Sequence, residues 1–570
     1  MNKQSFITIL LAVLMSMMGI SAFAIKIKNA DGVPINYALI NNNTELAVNC
    51  YYEWDDPYNE YSGNLVIPES VEYNGKTYKV TSILSMAFYG CRDLISVTIP
   101  NSVTTINGDE AFAKCYNLTS ITIPNSVTFI DCQCFEDTPW YKNQPDGLIY
   151  AGKVAYRYKG KMPANTHIDL KDGTLGISPR AFMGCTGLIS VTIPNSVTNI
   201  GHDAFYNTSI TSVIIPKSVT AIEGNAFGGC SSLASIQVES DNQYYDSRNN
   251  CNAIIDSNNQ LIVGCKNTTI PSSVTSIGNS AFFGCTGLTS VTIPKSVTSF
   301  SYRSFSGCSG LTSIQVESGN PNYDSRNNCN AIIETSSNTL IFGIKSTIIP
   351  NTLTSIGESA FSGCTGLSSI TIPNSVTSIL PEAFWGCSGL VYITLPSKLT
   401  SIGYGAFSGC NSLTDVYCKS KTIPSADYFA FSNQGNITLH VPFESINSYQ
   451  TTEPWNKFKN YELLSSDDLY TSEKCSKPTI SIVDGKFIFN CETQLVVYRW
   501  IISTPYGNNG EYFSVPSSIT LNVFATKSGY LPSDVATYEF SGLVGDVNND
   551  GEVNVADHVK LSEIIMEQKK

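Results

Sequence analysis

Charge is scarce in this 570-residue chain, in which Asp, Glu, Lys and Arg make up only 14% of the residues. The cationic side is the poorer, 34 Lys and Arg against 47 Asp and Glu, giving a formal net charge of -13 and a pI near 4.9. A nucleic-acid surface needs a basic face, so the balance argues against that class of partner. Histidine is rarer still, with four copies: His167, His202, His440 and His558. None belongs to an H-E-x-x-H motif, and the chain has neither a G-x-S-x-G elbow nor a G-x-x-x-x-G-K-[ST] phosphate loop. The carboxylate pairs Asp55-Asp56 and Asp467-Asp468 lie in polar segments, where no motif sets them across a cleft as acid/base work requires. The composition therefore reads as a protein that is not an enzyme. After the first 24 residues, no stretch approaches the ~20 apolar residues that span a bilayer.

The beginning of the chain has what a secretory signal needs. Lys3 precedes an apolar run at 6–14, and small residues lead to Ala22-Phe23-Ala24, so 1–24 reads as a signal peptide cleaved after Ala24. No cysteine sits near that point, which argues against lipid anchoring of the new N-terminus. The expected location is extracellular, secreted or on a cell surface. Eighteen cysteines in an exported protein would ordinarily suggest a disulfide framework. Their placement points elsewhere. Cys91, Cys115, Cys185, Cys230, Cys285, Cys308, Cys364, Cys387 and Cys410 share one slot, usually Gly-Cys-x-x-Leu, in successive repeats. Each is expected to be a small buried apolar residue.

The repeats set the fold class. A phenylalanine, usually after alanine, recurs at 88, 112, 182, 205, 227, 282, 361, 384 and 407, with Phe135, Phe305 and Phe431 in register. Neighbouring copies stand 22 to 24 residues apart. In the clearest unit, Ile370 and Ile372 alternate with Ser369 and Thr371, the period of a strand with one buried face, until Pro373 removes a ladder donor. Ile356, Phe361, Cys364, Leu367 and Val376 complete one coil's interior. A single coil cannot close a core, but stacked coils can, each strand adding ~4.8 Å to a parallel sheet. The expected fold is mainly β, a solenoid of such coils.

These residues closely resemble the BspA-like leucine-rich repeats of surface proteins from anaerobic gut and mouth bacteria, over about 63–464. The resemblance implies adhesion to host matrix proteins or other cells. Two coils depart from the period: the motif at 245–255, with Tyr245, Asp246, Arg248 and Cys251, returns almost unchanged at 323–333. Each is expected to form a hairpin beside the solenoid, and the irregular stretch 139–176 to do the same.

The ends read differently. Residues 25–61, with the aromatic and acidic run from Tyr51 to Asp56, are expected to cap the first coil of a solenoid spanning 62–465. Its closing cap would use Phe443, Tyr449, Trp455 and Phe458. Alternating runs within 466–541, broken by Asp484-Gly485, predict a small β-sandwich that resembles immunoglobulin-like or fibronectin-III-like spacers. Cys475 and Cys491 lie there as a possible but not directly opposed pair. The tail 542–570 carries the sharpest chemical motif, Asp546, Asn548, Asp550, Glu552, Asn554 and Asp557. Side-chain oxygens at loop positions 1, 3, 5, 9 and 12 surround Gly551 at position 6, with the Glu552 carbonyl at 7, which is a donor set for calcium. With the apolar helix face that follows, this EF-hand-like loop-helix resembles a dockerin repeat. A single unit departs from the usual two, leaving open a cohesin-like or other surface tethering partner.

Three functions compete on this reading: an adhesin, an assembly component extended by its repeats, and a glycan-binding protein or hydrolase. The ligand would be an extracellular protein or a glycan. If adhesion holds, the expected contact face is the outward row of the strands, Ser96/Thr98, Ser120/Thr122, Ser190/Thr192, Ser290/Thr292 and Ser369/Thr371. Short hydroxyls that merely tolerate solvent on a strand weigh equally.

Overall fold

The computed structural model describes residues 25–50, 61–301 and 303–464, then 477–483, 486–490, 497–503, 518–526 and 536–541. The signal segment 1–24, the aromatic run 51–60, Cys475, Cys491, Asp484-Gly485 and the calcium-type tail 542–570 lie outside the described residues. The chain divides into two compact units, 1–271 with 277–281, and 272–276 with 282–570, each described by itself. Among the described residues no helix is long and apolar enough to cross a membrane.

A coil carries two strands rather than one. The longer strand precedes the proline: Leu94–Thr98 and Ser120–Thr122 pair in parallel as Ser96↔Ser120 and Thr98↔Thr122 in the first unit. In the second, Tyr392–Leu395, Asp415–Cys418, Thr438–Pro442 and Asn460–Leu464 form one parallel sheet. Burial alternates as expected, Val291 and Ile293 inward, Ser290 and Thr292 exposed. The proline ends the strand and opens a turn, since the Val376 N–H donates to the Pro373 carbonyl at 3.0 Å. A second, two-residue strand follows, and Ser355–Ile356, Ser378–Ile379 and Ser401–Ile402 run in register as their own parallel ladder. Its isoleucines were expected only as core filling.

The strand expected at 369–372 is reduced to a single bridge, Thr371↔Thr394, although Ile370 and Ile372 are buried as anticipated. The reason lies on its N-terminal side. There the preceding coil has been replaced by an inserted hairpin, which contributes to the short ladder and not to the long one.

The interior is organised around the phenylalanines. Phe361, Phe384, Phe407 and Phe431 stack face to face with centroids 5.0, 5.2 and 4.9 Å apart, and Phe182, Phe205 and Phe227 do so at 5.3 and 5.2 Å. The backbone N–H groups of Phe182, Phe205, Phe361, Phe384 and Phe407 donate to the next coil, as Phe361 to the Ala383 carbonyl and Phe384 to that of Ala406. The flanking residues take left-handed backbone, Ser359 and Glu382 two positions before the ring, Gly363 and Gly386 two after it. Glycine is required at 363 twice over, because a Cβ there would also sit 2.8 Å from the Gly307 nitrogen.

That glycine leads into the cysteine slot. The Cys387 thiol donates to the Phe361 carbonyl at 3.1 Å, Cys410 to Phe384 at 3.2 Å, Cys308 to Phe282 and Cys115 to Phe88 at 3.0 Å. The same Phe361 carbonyl already accepts from the Cys364 N–H, so the thiol of the next coil fills its second lone pair. The sixteen described cysteines form no disulfide with one another. The slot is thus a buried position with a weak donor, which alanine would fill less well.

All three irregular stretches contain hairpins: Gly147–Ala151 with Val154–Lys159, Ala253–Asp256 with Gln260–Gly264, and Ala331–Glu334 with Thr339–Gly343. At least the first and third do not lie beside the stack. Their second strands enter the short ladder, Ala155 opposite Ile177 and Leu340 opposite Ile356, standing in for a coil. The duplicated motif folds each entrance. Burial opposes ionisation of Asp324, but hydrogen bonds from Arg326 outweigh it and hold the carboxyl below its ordinary range; Arg326 also reaches Asn338 at 2.8 Å. The motif therefore has a structural part in the fold.

At the N-terminal end, Ile25–Lys28, Pro34–Ile40 and Glu45–Val48 form an antiparallel ladder that joins Lys76–Leu84 in parallel. At the other end Phe431 meets Trp455 and Phe458 at 5.8 and 5.4 Å, and the Trp455 indole donates to the Pro424 carbonyl at 2.9 Å. Beyond 476, Thr479–Val483 pairs antiparallel with Lys486–Asn490, ending at Val483 opposite Lys486, as the Asp-Gly signal predicts. Val497–Ser503, Ser518–Thr526 and Ala536–Ser541 form a three-stranded antiparallel sheet.

Two outcomes follow from this core. Phe384→Ala removes a fully buried ring stacked on both sides and is expected to cost about 3–5 kcal/mol in urea denaturation. Burial pushes the Cys230 and Cys410 thiols up, to about 11 and about 12. The folded chain therefore keeps protons that the unfolded chain releases above about pH 8.5. Stability from these thiols is complete below that pH and is lost as pH rises toward 12, which a melting series from pH 7 to 12 measures.

Candidate ligand-binding face

The outward positions of the long strands carry no share of the core. Thr98, Ser120, Thr122, Thr192, Ser290, Thr292 and Thr371 are exposed, and Ser96, Ser190 and Ser369 are half-buried. Their order follows from strand geometry, because the inward isoleucines and valines force the intervening residues out. The structure brings these hydroxyls together only locally. Ser96/Thr98 lie against Ser120/Thr122, with Ser96 donating to Asn64 at 2.6 Å. Ser290 and Thr292 lie against Ser313 and Gln315 in a separate two-stranded ladder, and Ser369/Thr371 meet only Thr394. The face is a series of short rows, interrupted where hairpins replace coils.

Ser190 and Thr192 have neighbours that sequence reasoning missed. Thr166–Asp169 pairs beside them, placing His167 opposite Ser190 and Asp169 opposite Thr192. The imidazole Nδ1 lies 2.6 Å from Ser190 Oγ, and Nε2 lies 2.9 Å from Asp169 and 3.3 Å from Thr192 Oγ1. The Thr192 hydroxyl first, then His167, hold the Asp169 carboxyl below its usual range. These residue types are those of a nucleophile, a base and an orienting acid, but His167 and Asp169 are 47% and 74% exposed. Water screens them, and the low-dielectric reinforcement that such catalysis depends on is missing. The arrangement is a polar contact patch. Aligning Thr-His-Ile-Asp with the Ser-Val-Thr strands of other coils is the signal that would have found it.

A second histidine lies on a long strand of the second unit, Thr438–Pro442. His440 is buried, with Nε2 2.8 Å from Asp415, Nδ1 3.3 Å from Glu462 and its ring stacked on Tyr417 at 4.1 Å. Thr414 donates to the other Asp415 oxygen at 2.8 Å. Here the outward row has changed from hydroxyls to aromatic and ionisable groups, and Tyr392 joins them, buried. His202 stands elsewhere, in a turn 3.5 Å from Glu223, in keeping with a tolerated surface residue.

Two other groupings were weighed. Asp109, Asp131 and the Cys132 thiol bring one ligand atom each within 4.8 Å. Burial, then the Asp131 charge, push that thiol up to about 12. In the second unit, Tyr404, Tyr428 and Phe429 are 54%, 56% and 59% exposed and touch edge to face at 5.8 and 5.0 Å, with the Lys457 ammonium 5.7 Å above Tyr428. Rings left in water on adjacent turns form a ready contact ridge.

Comparisons with known proteins agree with the repeat. The family model described as BspA type leucine rich repeat region matches, in 6 copies, residues 69–144, 154–262, 253–341 and 331–453, about two thirds of the chain. Among solved structures, a leucine rich cell surface protein from Faecalibacterium prausnitzii is 27% identical, covering 69% of this chain and 94% of its own, with a TM-score of 0.34. The pneumococcal vaccine antigen PcpA is 17% identical over 77% of this chain and 98% of its own, with a TM-score of 0.34. A leucine-rich repeat protein from Eubacterium ventriosum is 21% identical over 68% and 95%, with a TM-score of 0.31. No curated protein matches this chain. With its period, its paired ladders and the match of the family model over most of its repeats, the chain belongs to the BspA-type leucine-rich-repeat family.

Proposed function

We propose that this chain is a secreted or cell-surface protein, non-catalytic, that binds host matrix proteins or molecules on other cells through the outward rows of its long strands. The observation that carries the reading is the division of labour within each coil. The inward strand positions are committed to the core, while the outward hydroxyls recur exposed or half-buried from coil to coil without a shared structural partner. Flat ladders of this kind present many weak hydrogen-bonding groups to a large partner and enclose no substrate. The test is binding of the full chain to immobilised host matrix proteins and to glycans. Replacing Thr98, Thr122 and Thr192 together with Lys is expected to weaken binding at least tenfold; unchanged affinity moves the site off this face. The exposed ridge of Tyr404, Tyr428 and Phe429 favours a second reading, in which the ligand is a glycan whose rings stack on those side chains.

The tail adds a separate part of the proposal. Asp546, Asn548, Asp550, Asn554 and Asp557 side chains with the Glu552 carbonyl would hold one calcium ion, and the loop-helix would tether the protein to a cohesin-like or other surface partner. Assembly would then accompany adhesion. Calorimetry on the full chain is expected to show one calcium site that Asp546→Ala with Asp550→Ala removes. Calcium heat that survives both substitutions contradicts the assignment.

A further inference from the structure

An inserted hairpin replaces a coil incompletely. Ordinary neighbours are bonded also at the turn before the phenylalanine, as the Ser359 N–H donates to the Pro381 carbonyl at 3.1 Å and that of Glu382 to Tyr404 at 2.8 Å. The third hairpin supplies a strand, Thr339–Gly343, and a ring, Phe342, 5.2 Å from Phe305. Gly343 then donates directly to the Ala360 carbonyl, so no turn of that kind is formed. Ser301, Arg303 and Ser304 together with Gly357, Glu358 and Ser359 are left lining a cleft of about 420 Å³. That volume lies in the range of small-molecule sites, roughly 300–1,000 Å³.

The first hairpin leaves the same gap and fills it. Its ladder sets Val154 opposite Gly176 and Ala155 opposite Ile177, as Thr339 stands opposite Ser355 and Leu340 opposite Ile356. Tyr156 therefore holds the register position of Ile341. Tyr156 is 1% exposed, meets Phe135 at 5.3 Å, donates to the Cys132 carbonyl at 2.9 Å and accepts from the Phe135 N–H at 3.3 Å. Ile341 has neither the reach nor the hydroxyl. In the cleft it leaves open, Ser306 is 2% exposed, yet its Oγ has no hydrogen-bond partner.

The lining is chemically specific. Phe300, Phe342 and Leu380 give it an apolar wall, and Glu334 and Glu358 stand on it without an ion pair among the described residues. Among the described lining residues the one guanidinium, Arg303, is paired through Nη2 with Glu382 at 2.5 Å and lies 5.3 Å from the Trp385 ring, while its buried Nε has no hydrogen-bond partner. We propose that this cleft binds a small organic ammonium, an apolar or aromatic stem with a cationic head. The stem lies on the phenylalanine wall, the carboxylates offset the head's charge, and the Ser306 hydroxyl gains the partner it lacks. An anion of the same shape meets two uncompensated carboxylates and is rejected.

Calorimetry on the full chain with phenethylamine and with phenylacetate tests this directly, since the two share a ring and differ in charge. Saturable binding of the amine, at least tenfold tighter than the acid, is expected. Glu334→Gln with Glu358→Gln should weaken the amine at least tenfold. Ile341→Tyr should abolish binding by filling the cleft as Tyr156 fills the first, with circular dichroism and melting temperature unchanged. No saturable heat, equal binding of amine and acid, or amine affinity unchanged in the folded Ile341→Tyr chain overturns the proposal. Should Ile341→Tyr fail to fold, the glutamine pair decides alone.

Discussion

The rest of the structure depends on one coincidence of length. Phenylalanine rings stack at 4.8 to 5.3 Å in most adjacent coils, and parallel strands pair at about 4.8 Å. Ring column and backbone ladder thus demand the same step, so each coil satisfies both or neither. The left-handed residues on either side of each ring exist to turn the chain onto that column, and the cysteine thiol completes the phenylalanine carbonyl one coil back. A coil of 22 to 24 residues is what this set of constraints permits, and its outside is left free to vary.

Variation uses that freedom in two ways. On the outward rows, residues change without cost to the core, from hydroxyls at Thr98 and Thr122 to His167 with Asp169 and, in the second unit, to buried Tyr392, Asp415 and His440 with half-buried Tyr417. In the stack itself, hairpins replace whole coils. They preserve the column, as Tyr156 and Phe342 show against Phe135 and Phe305, but they omit a turn. Function can enter at both kinds of place, as an exposed row or as a gap.

Most of the repeat was legible because its physics is local and repeated. The alternation around Ile370, the proline stop and the cysteine slot each predict a position's burial without reference to distant residues. The closing cap was legible in part, as the aromatic cluster of Trp455 and Phe458 where the period ends, whereas Phe443, expected in it, is 70% exposed. The short ladder at Ser355–Ile356 was not, since two residues carry no periodicity. Nor was the pairing of His167 with Ser190, because the strand that carries it has lost the repeat's own residue types. The place of the hairpins was misjudged for a related reason. The sequence of a hairpin says that two strands pair, whereas the stack decides whether the second one replaces a coil. Seven hydroxyls of the candidate face stand exposed and Ser96, Ser190 and Ser369 half-buried, and its division into short rows depended on those same insertions.

Amide hydrogen exchange on the full chain tests the central claim most directly. If ring column and ladder hold the coils together, the N–H groups of Phe361, Phe384 and Phe407, each donated to the next coil, exchange among the slowest in the repeats and at similar rates. Exchange at these three as fast as at the exposed turn residues Asn351 and Thr352 would contradict it.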